Sequence, residues 1–242
     1  MRFLSAVELL DAWETARAGS ALERPLVLLA AATNQSRAEL AQLPLGARNE
    51  QLLQLRARVF GNVLDALTDC PACGERLELP LRVADFLSPP PPVNTARELR
   101  VNGFTLMYRL PDSNDLSAAR QAPNVVTARE LLLQRVVVNV NSTHHAQDAI
   151  SLDANVMDAL SAQLERDDPL AALRVQLKCP NCLREWDAPF DIEKFFWLEL
   201  DAWAKRILSE VHALASAYGW SESEILALSP QRRQTYLEMI GG

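Results

Sequence analysis

Cys70-Pro71-Ala72-Cys73-Gly74-Glu75-Arg76-Leu77-Glu78-Leu79-Pro80-Leu81-Arg82-Val83 returns 109 residues later as Cys179-Pro180-Asn181-Cys182-Leu183-Arg184-Glu185-Trp186-Asp187-Ala188-Pro189-Phe190-Asp191-Ile192. The match goes beyond the cysteines: Leu77 meets Trp186, Pro80 meets Pro189, Leu81 meets Phe190, and Phe86-Leu87 meets Phe195-Phe196. Each copy reads as a Cys-Pro-x-Cys knuckle, an amphipathic strand and an apolar exit. One knuckle can wrap only two positions of a tetrahedral zinc ion, so two knuckles complete a shell of four thiolates at about 2.3 Å. This predicts a structural Zn2+ held by Cys70, Cys73, Cys179 and Cys182, a split zinc ribbon.

The 105 residues between Cys73 and Cys179 exceed the spacing of a compact ribbon. They are tolerable because loop-closure entropy grows logarithmically, about 0.6 kcal/mol per doubling. Two other readings stay open. A redox Cys-x-x-Cys would sit at a helix N-terminus that lowers a thiol pKa, whereas each pair here leads into strand-like alternation. Unrelated buried cysteines would rarely form duplicate units. Gly74 suits the left-handed turn that closes a knuckle, while the equivalent Leu183 is disfavoured there.

Working outward, Leu77, Leu79, Leu81 and Val83 alternate with polar residues or proline, as a half-buried strand does. Val101 to Leu110, with Asn102-Gly103 near its start, predicts a further strand in the same sheet. Pro89 to Pro92 read as a stiff extended connector. Helix signals open the chain: Ser5 and Glu8 form a capping box, Leu4 and Leu9 a staple, and Gly19 a stop. A second helix follows Pro25, and a third runs from Asn49 to Leu67 on the stripe Leu52, Leu53, Val59, Phe60, Val63, Leu64 and Leu67. Helices are also expected over Thr127 to Val138 and Asp153 to Glu165, with a short helical turn from Asp168-Pro169.

From Phe195 the apolar residues keep helical spacing for about six turns to Tyr218. Gly219 ends that helix, Ser221 and Glu224 cap the next, and Ser229-Pro230 starts the last. The fold class is thus α+β and mostly helical: a split zinc ribbon with a small antiparallel sheet, N-terminal helices and a C-terminal three-helix segment. The expected divisions are an N-terminal helical region 1–69, a ribbon region with helical insertion 70–194, and a C-terminal docking region 195–242.

With 242 residues, 49% of them hydrophobic and 23% charged, the chain can bury a core without disulfides. A net charge of -7 opposes non-specific nucleic-acid binding. The N-terminus lacks a signal-peptide pattern, and the longest apolar run, Leu26 to Ala32, is far below the ~20 residues of a membrane span. A cytoplasmic protein is expected. His144 and His145 lie in a polar stretch and His212 on a helix flank, so no catalytic role is read for them. No phosphate loop, nucleophile elbow or zinc-protease helix is present, and four thiolate ligands leave no open metal position for catalysis.

Cys179-Pro180-Asn181-Cys182, followed by Phe190-Asp191-Ile192 and Phe195-Phe196-Trp197, resembles the zinc-knuckle region of baseplate-hub and assembly proteins of contractile-tailed phages. Glu210-Val211-His212, Ala217-Tyr218-Gly219-Trp220-Ser221-Glu222 and Glu224-Ile225-Leu226 are similar to proteins of phage-tail-like contractile injection systems. The resemblance implies a non-enzymatic structural or assembly component, in the bacterial cytoplasm or in the particle built there. Its protein partners would be baseplate or tail components, met through Trp197, Trp203, Tyr218, Trp220 and Tyr236, with no nucleic acid and no membrane. A zinc-ribbon adaptor of a nucleic-acid process and a thiol oxidoreductase are the alternatives.

Overall fold

The computed structural model describes residues 1–87, 97–142 and 154–241. Pro89 to Pro92, His144, His145 and Asp153 lie outside the described residues. In chain order, α1 (Ala6–Ala18), α2 (Arg24–Ala32), α3 (Arg37–Ala41) and α4 (Leu45–Phe60) lead to a hairpin of β1 (Val63–Asp69) and β2 (Arg76–Arg82). After α5 (Val83–Phe86) come β3 (Arg97–Val101), β4 (Phe104–Tyr108), α6 (Ser113–Ala119), α7 (Val125–Val136), β5 (Val137–Ser142) and α8 (Ala154–Asp167). A 3-10 turn, Pro169–Ala172, precedes the hairpin of β6 (Arg174–Lys178) and β7 (Glu185–Pro189). The chain continues with α9 (Ile192–Tyr218), α10 (Glu222–Ala227) and α11 (Pro230–Gly241). The fold is mostly helical with small antiparallel sheets, N-terminal helices and a C-terminal helical segment. Two compact units result, Met1–Asn34 with Glu193–Gly242, and Gln35–Ile192.

In the first unit, Ser5 and Glu8 close the α1 capping box, Ser5 Oγ accepting from the Glu8 amide at 3.3 Å. The face of α1 carrying Leu9, Leu10, Trp13 and Ala16 is buried, and Trp13 Nε1 donates to Asp201 Oδ1 of α9 at 3.0 Å. Along α9, Leu200, Ala204, Ile207, Val211 and Leu214 recur every three or four residues and are buried. Gly219 ends α9 in the left-handed region, φ 70°, which a residue without Cβ adopts freely. Ser221 and Glu224 form the capping box of α10. Buried Arg233 anchors α11 by pairing with Glu210 at 3.1 Å and donating to the Leu228 carbonyl at 2.9 Å.

Among its described residues the second unit contains three separate sheets: β1-β2, β3-β4-β5 and β6-β7. Its core of Tyr108, Leu110, Leu133, Val136, Met157, Leu160 and Leu164 lies where the three-stranded sheet meets α7 and α8. Two sequence expectations need correction. The third helix stops at Phe60, because Gly61 takes φ 92°, and Val63 to Leu67 belong to β1. The stripe at 59, 60, 63, 64 and 67 fitted a helix, but Leu64 is buried opposite Leu81 across a β ladder instead. The stretch from Val101 to Leu110 does not join the ribbon strands. Asn102 (φ 50°) and Gly103 (φ 78°) form a tight hairpin turn between β3 and β4, in a sheet of their own with β5.

The start of α4 follows Pro44, which cannot cap through its side chain, so distant chain supplies the acceptors. Leu45 N donates to Pro111 O at 3.0 Å and Gly46 N to Asp168 Oδ2 at 2.9 Å. Asn49 Nδ2 adds a bond to Leu170 O at 2.9 Å, seating the 3-10 turn on α4. Nearby, the fully buried Asp115 accepts a two-pronged contact from Arg109 at 2.6 and 2.8 Å and a third from Arg135 at 2.9 Å.

A Cβ on Gly46 would lie 1.6 Å from Asp168 Oδ1, so Gly46→Ala must expel a buried carboxylate and lose a helix cap. It is expected to cost about 2–3 kcal/mol, read as a lower denaturation midpoint. Burial works against ionisation of Asp115, but Arg109, the Asp112 amide and Arg135 outweigh it and hold its pKa below the ordinary 3.8. The charged form therefore stabilises the fold above 3.8, and that contribution fades as pH falls through the depressed value. Asp115→Asn should cost about 2–4 kcal/mol at neutral pH. Its unfolding curve should converge on that of the unaltered chain in strong acid.

Candidate metal centre

Each knuckle is the loop of a hairpin, built by the same backbone bonds in both copies. Cys70 N donates to Glu75 O at 2.8 Å and Gly74 N to Cys70 O at 2.9 Å; Cys179 N donates to Arg184 O at 2.9 Å and Leu183 N to Cys179 O at 3.0 Å. Gly74 has φ 74° and Leu183 φ 60°, so the second knuckle forces a leucine into the left-handed turn that the first gives to glycine. The last ladder pair before each loop carries an exposed ion pair of opposite polarity. Asp69 meets Arg76 at 3.1 Å in one, and Lys178 meets Glu185 at 2.9 Å in the other. Such exposed pairs are screened by solvent and favour register more than stability.

The structure brings the four cysteines together. Their Sγ atoms all lie within 4.8 Å of one another. Cys70 is 3.6 Å from Cys182 and Cys73 is 3.6 Å from Cys179. A tetrahedron of thiolates at the zinc–sulfur distance has edges of about 3.8 Å, whereas a disulfide needs about 2.0 Å. All four are free thiols, with Cys70 and Cys179 buried and Cys73 and Cys182 exposed. Beneath them Cys70, Cys179 and Leu77 form a small core against Leu79 and Trp186, so the equivalent residues Leu77 and Trp186 share one cluster. Phe86 and Phe190 stack at 5.2 Å beyond the hairpins.

The electrostatics fit a cation. Burial opposes ionisation of Cys70, yet the amides of Ala72 and Cys73 and the neighbouring thiols draw its pKa down to about 6. At Cys73 the Glu75 amide favours the thiolate, but burial and the charge shared among the other thiols push its pKa up to about 12. The thiolate is thus favoured at Cys70 and opposed at Cys73. A divalent cation would remove that conflict, and an all-sulfur tetrahedral set suits zinc. Among the described residues this is the sole group of cysteine, histidine or acidic side chains arranged to hold a metal.

Sequence reasoning had no role for Asn181, whose Nδ2 donates across to Cys73 Sγ at 3.8 Å. The available signal was its mismatch with Ala72, the equivalent residue of the first knuckle. Of the five aromatics expected at a partner surface, Tyr218, Trp220 and Tyr236 gather into one cluster with ring centroids 4.7 to 5.7 Å apart. Trp197 instead packs under the Arg24 guanidinium at 4.2 Å, and Trp203 lines a cleft of about 650 Å³ with Ile207, Pro230 and Arg233. His212 is exposed on α9. No described helix is long and apolar enough to cross a membrane.

A family model described as T4 bacteriophage base plate protein matches residues 26–197, a span that contains both knuckles and more than two thirds of the chain. No curated protein and no solved structure matches the chain significantly.

The unequal knuckle turns are testable. Gly74→Ala should lose about 1–2 kcal/mol through left-handed strain. Leu183→Gly should gain up to about 1 kcal/mol, since relief of strain exceeds the added flexibility of the unfolded chain. Chemical denaturation of both variants, each with its metal content measured, gives the comparison.

Proposed function

Because this chain belongs to the T4 bacteriophage base plate protein family, we propose that it is a non-enzymatic structural or assembly component of a contractile tail-like machine, braced by one structural zinc ion. The observation that carries the reading is the family match over residues 26–197. The thiol cluster supports the second half of it: Cys70, Cys73, Cys179 and Cys182 would hold the ion, with no position left for water or substrate. What the ion supplies is a crosslink between two hairpins that are far apart in sequence. The chain's own residues do the rest: the two knuckle turns aim the sulfurs inward, and Leu77 and Trp186 keep water from the two buried ones.

The C-terminal helices are the proposed docking element for baseplate or tail proteins. Tyr218, Trp220 and Tyr236 are rigid aromatic groups of the kind that anchor protein interfaces, and Tyr218 is exposed. The matched span ends at residue 197, so α10 and α11 lie beyond it. In this reading those helices carry a partner preference particular to this chain. The net charge of -7 supports protein over nucleic acid as the partner.

Expressed with the other tail genes, the tagged chain should co-purify with baseplate components, and persistent failure to do so in both precursor and finished particles overturns the assignment. Replacing Trp220 and Tyr236 together by alanine should reduce recovery at least tenfold while leaving bound zinc at one per chain. Cys179→Ser should abolish zinc binding, measured by elemental analysis, and lower the melting temperature by roughly 5–10 °C.

A further inference from the structure

The four sulfurs differ in a regular way. Each short contact between knuckles joins one buried thiol to one exposed thiol: Cys70 with Cys182, and Cys179 with Cys73, both at 3.6 Å. A second asymmetry separates the exposed pair. Cys73 receives the Asn181 side-chain hydrogen bond at 3.8 Å, whereas the methyl of Ala72, at the equivalent place in the first knuckle, cannot donate to Cys182. A donor to a metal-ligating thiolate draws off its electron density and makes it the poorer nucleophile.

We propose that the cluster is a peroxide-sensitive modification site, in which Cys182 is oxidised first and the ion is exchanged for two disulfides between the knuckles, Cys70 to Cys182 and Cys73 to Cys179. This rests on the zinc reading above. The exposed Cys182 thiolate attacks hydrogen peroxide, so that a sulfur–oxygen bond forms, the oxygen–oxygen bond breaks, and the departing hydroxide takes a proton to become water. The Cys70 thiolate, already 3.6 Å away, then attacks the Cys182 sulfenic acid; the sulfur–sulfur bond forms, the sulfur–oxygen bond breaks, and the departing hydroxide takes a proton to leave as a second water. Cys73 and Cys179 repeat the sequence with a second peroxide. In sum, four thiolates on one zinc ion, two peroxides and four protons give two disulfides, four waters and free Zn2+. The sulfurs are oxidised by four electrons and the peroxide oxygens are reduced by four.

The geometry makes the outcome conservative. Disulfides within each knuckle would release the two hairpins from one another, whereas disulfides between knuckles keep the same distant segments tied after the ion has gone. The required approach is from 3.6 Å to about 2.0 Å between the sulfurs of two exposed loops.

The full-length chain, purified under reducing conditions, is first assayed for metal. One zinc per chain supports the structural-zinc reading and its absence refutes that reading, while the pairing chemistry is then still read on the free thiols. Hydrogen peroxide is added stepwise, zinc release is followed with a chromophoric chelator, and remaining thiols are alkylated before digestion. Trypsin cleaves after Arg58 and Arg76 and after Lys178 and Arg184, placing the two knuckles on separate peptides. One equivalent should join these peptides through Cys70 and Cys182 with Cys73 and Cys179 still alkylated, and two equivalents should release the zinc and form both bridges. In Asn181→Ala the order should disappear, the two bridges forming in comparable yield. Bridges confined within each knuckle, a Cys73 to Cys179 bridge forming first, or four alkylatable thiols after a large excess of peroxide would each overturn the proposal.

Discussion

Four sulfur atoms from two hairpins lie within 4.8 Å of one another, although 105 residues separate the second of them from the third. That convergence is the constraint around which the second unit is arranged. Bringing the hairpins together costs chain entropy that rises only slowly with loop length, so the intervening segment is free to become a helical and sheet-containing body with its own core. The approach does not depend on the sulfurs alone. α4 delivers the chain to the first hairpin and the 3-10 turn delivers it to the second, and these two elements are joined by the bonds from Gly46 to Asp168 and from Asn49 to Leu170. The knuckles thus meet at the far end of arms already fastened at their base.

The internal repeat accounts for the symmetry of the site, and its mismatches account for the differences between the two loops. The backbone bonds that close the two loops are the same, and the equivalent apolar residues Leu77 and Trp186 share a single small core. The ion pairs at the hairpin necks have exchanged sign, and each favours the register of its own ladder. Where the copies differ inside the loops, one retains glycine at the left-handed position and the other has leucine, and one has alanine where the other has asparagine. The second knuckle is therefore the more strained, and it is also the one that reaches across to hydrogen-bond its neighbour.

The first unit has a different character. Its apolar helix faces are closed by a few polar contacts, Trp13 to Asp201 and Arg233 to Glu210, and its surface keeps an aromatic group near the C-terminus. Membership of the base plate family rests on a span running from residue 26 to 197, which takes in the whole second unit. The matched span thus contains the paired hairpins with the body between them, and the terminal helices α10 and α11 lie beyond it.

The local elements were legible because their causes are local. Capping boxes at Ser5 and Ser221, the turn glycine at 219, the Asp168-Pro169 turn and the period of α9 each depend on a handful of neighbouring residues. The internal repeat also announced the four cysteines and the mismatch at Leu183, because loop closure within a knuckle depends on consecutive backbone angles. What tertiary structure alone decided involves partners distant in the chain. Val63 to Leu67 satisfied a helical stripe until pairing with β2 claimed them for a strand, and Val101 to Leu110 could not reveal which sheet would accept it. The cap that Asp168 lends to Gly46, the burial of Asp115 between two arginines, and the choice of Cys182 as neighbour to Cys70 are likewise contacts across long stretches of chain. Periodicity reports which face of a segment is apolar, but a hydrogen-bond partner a hundred residues away leaves no local mark, and only packing brings it within reach.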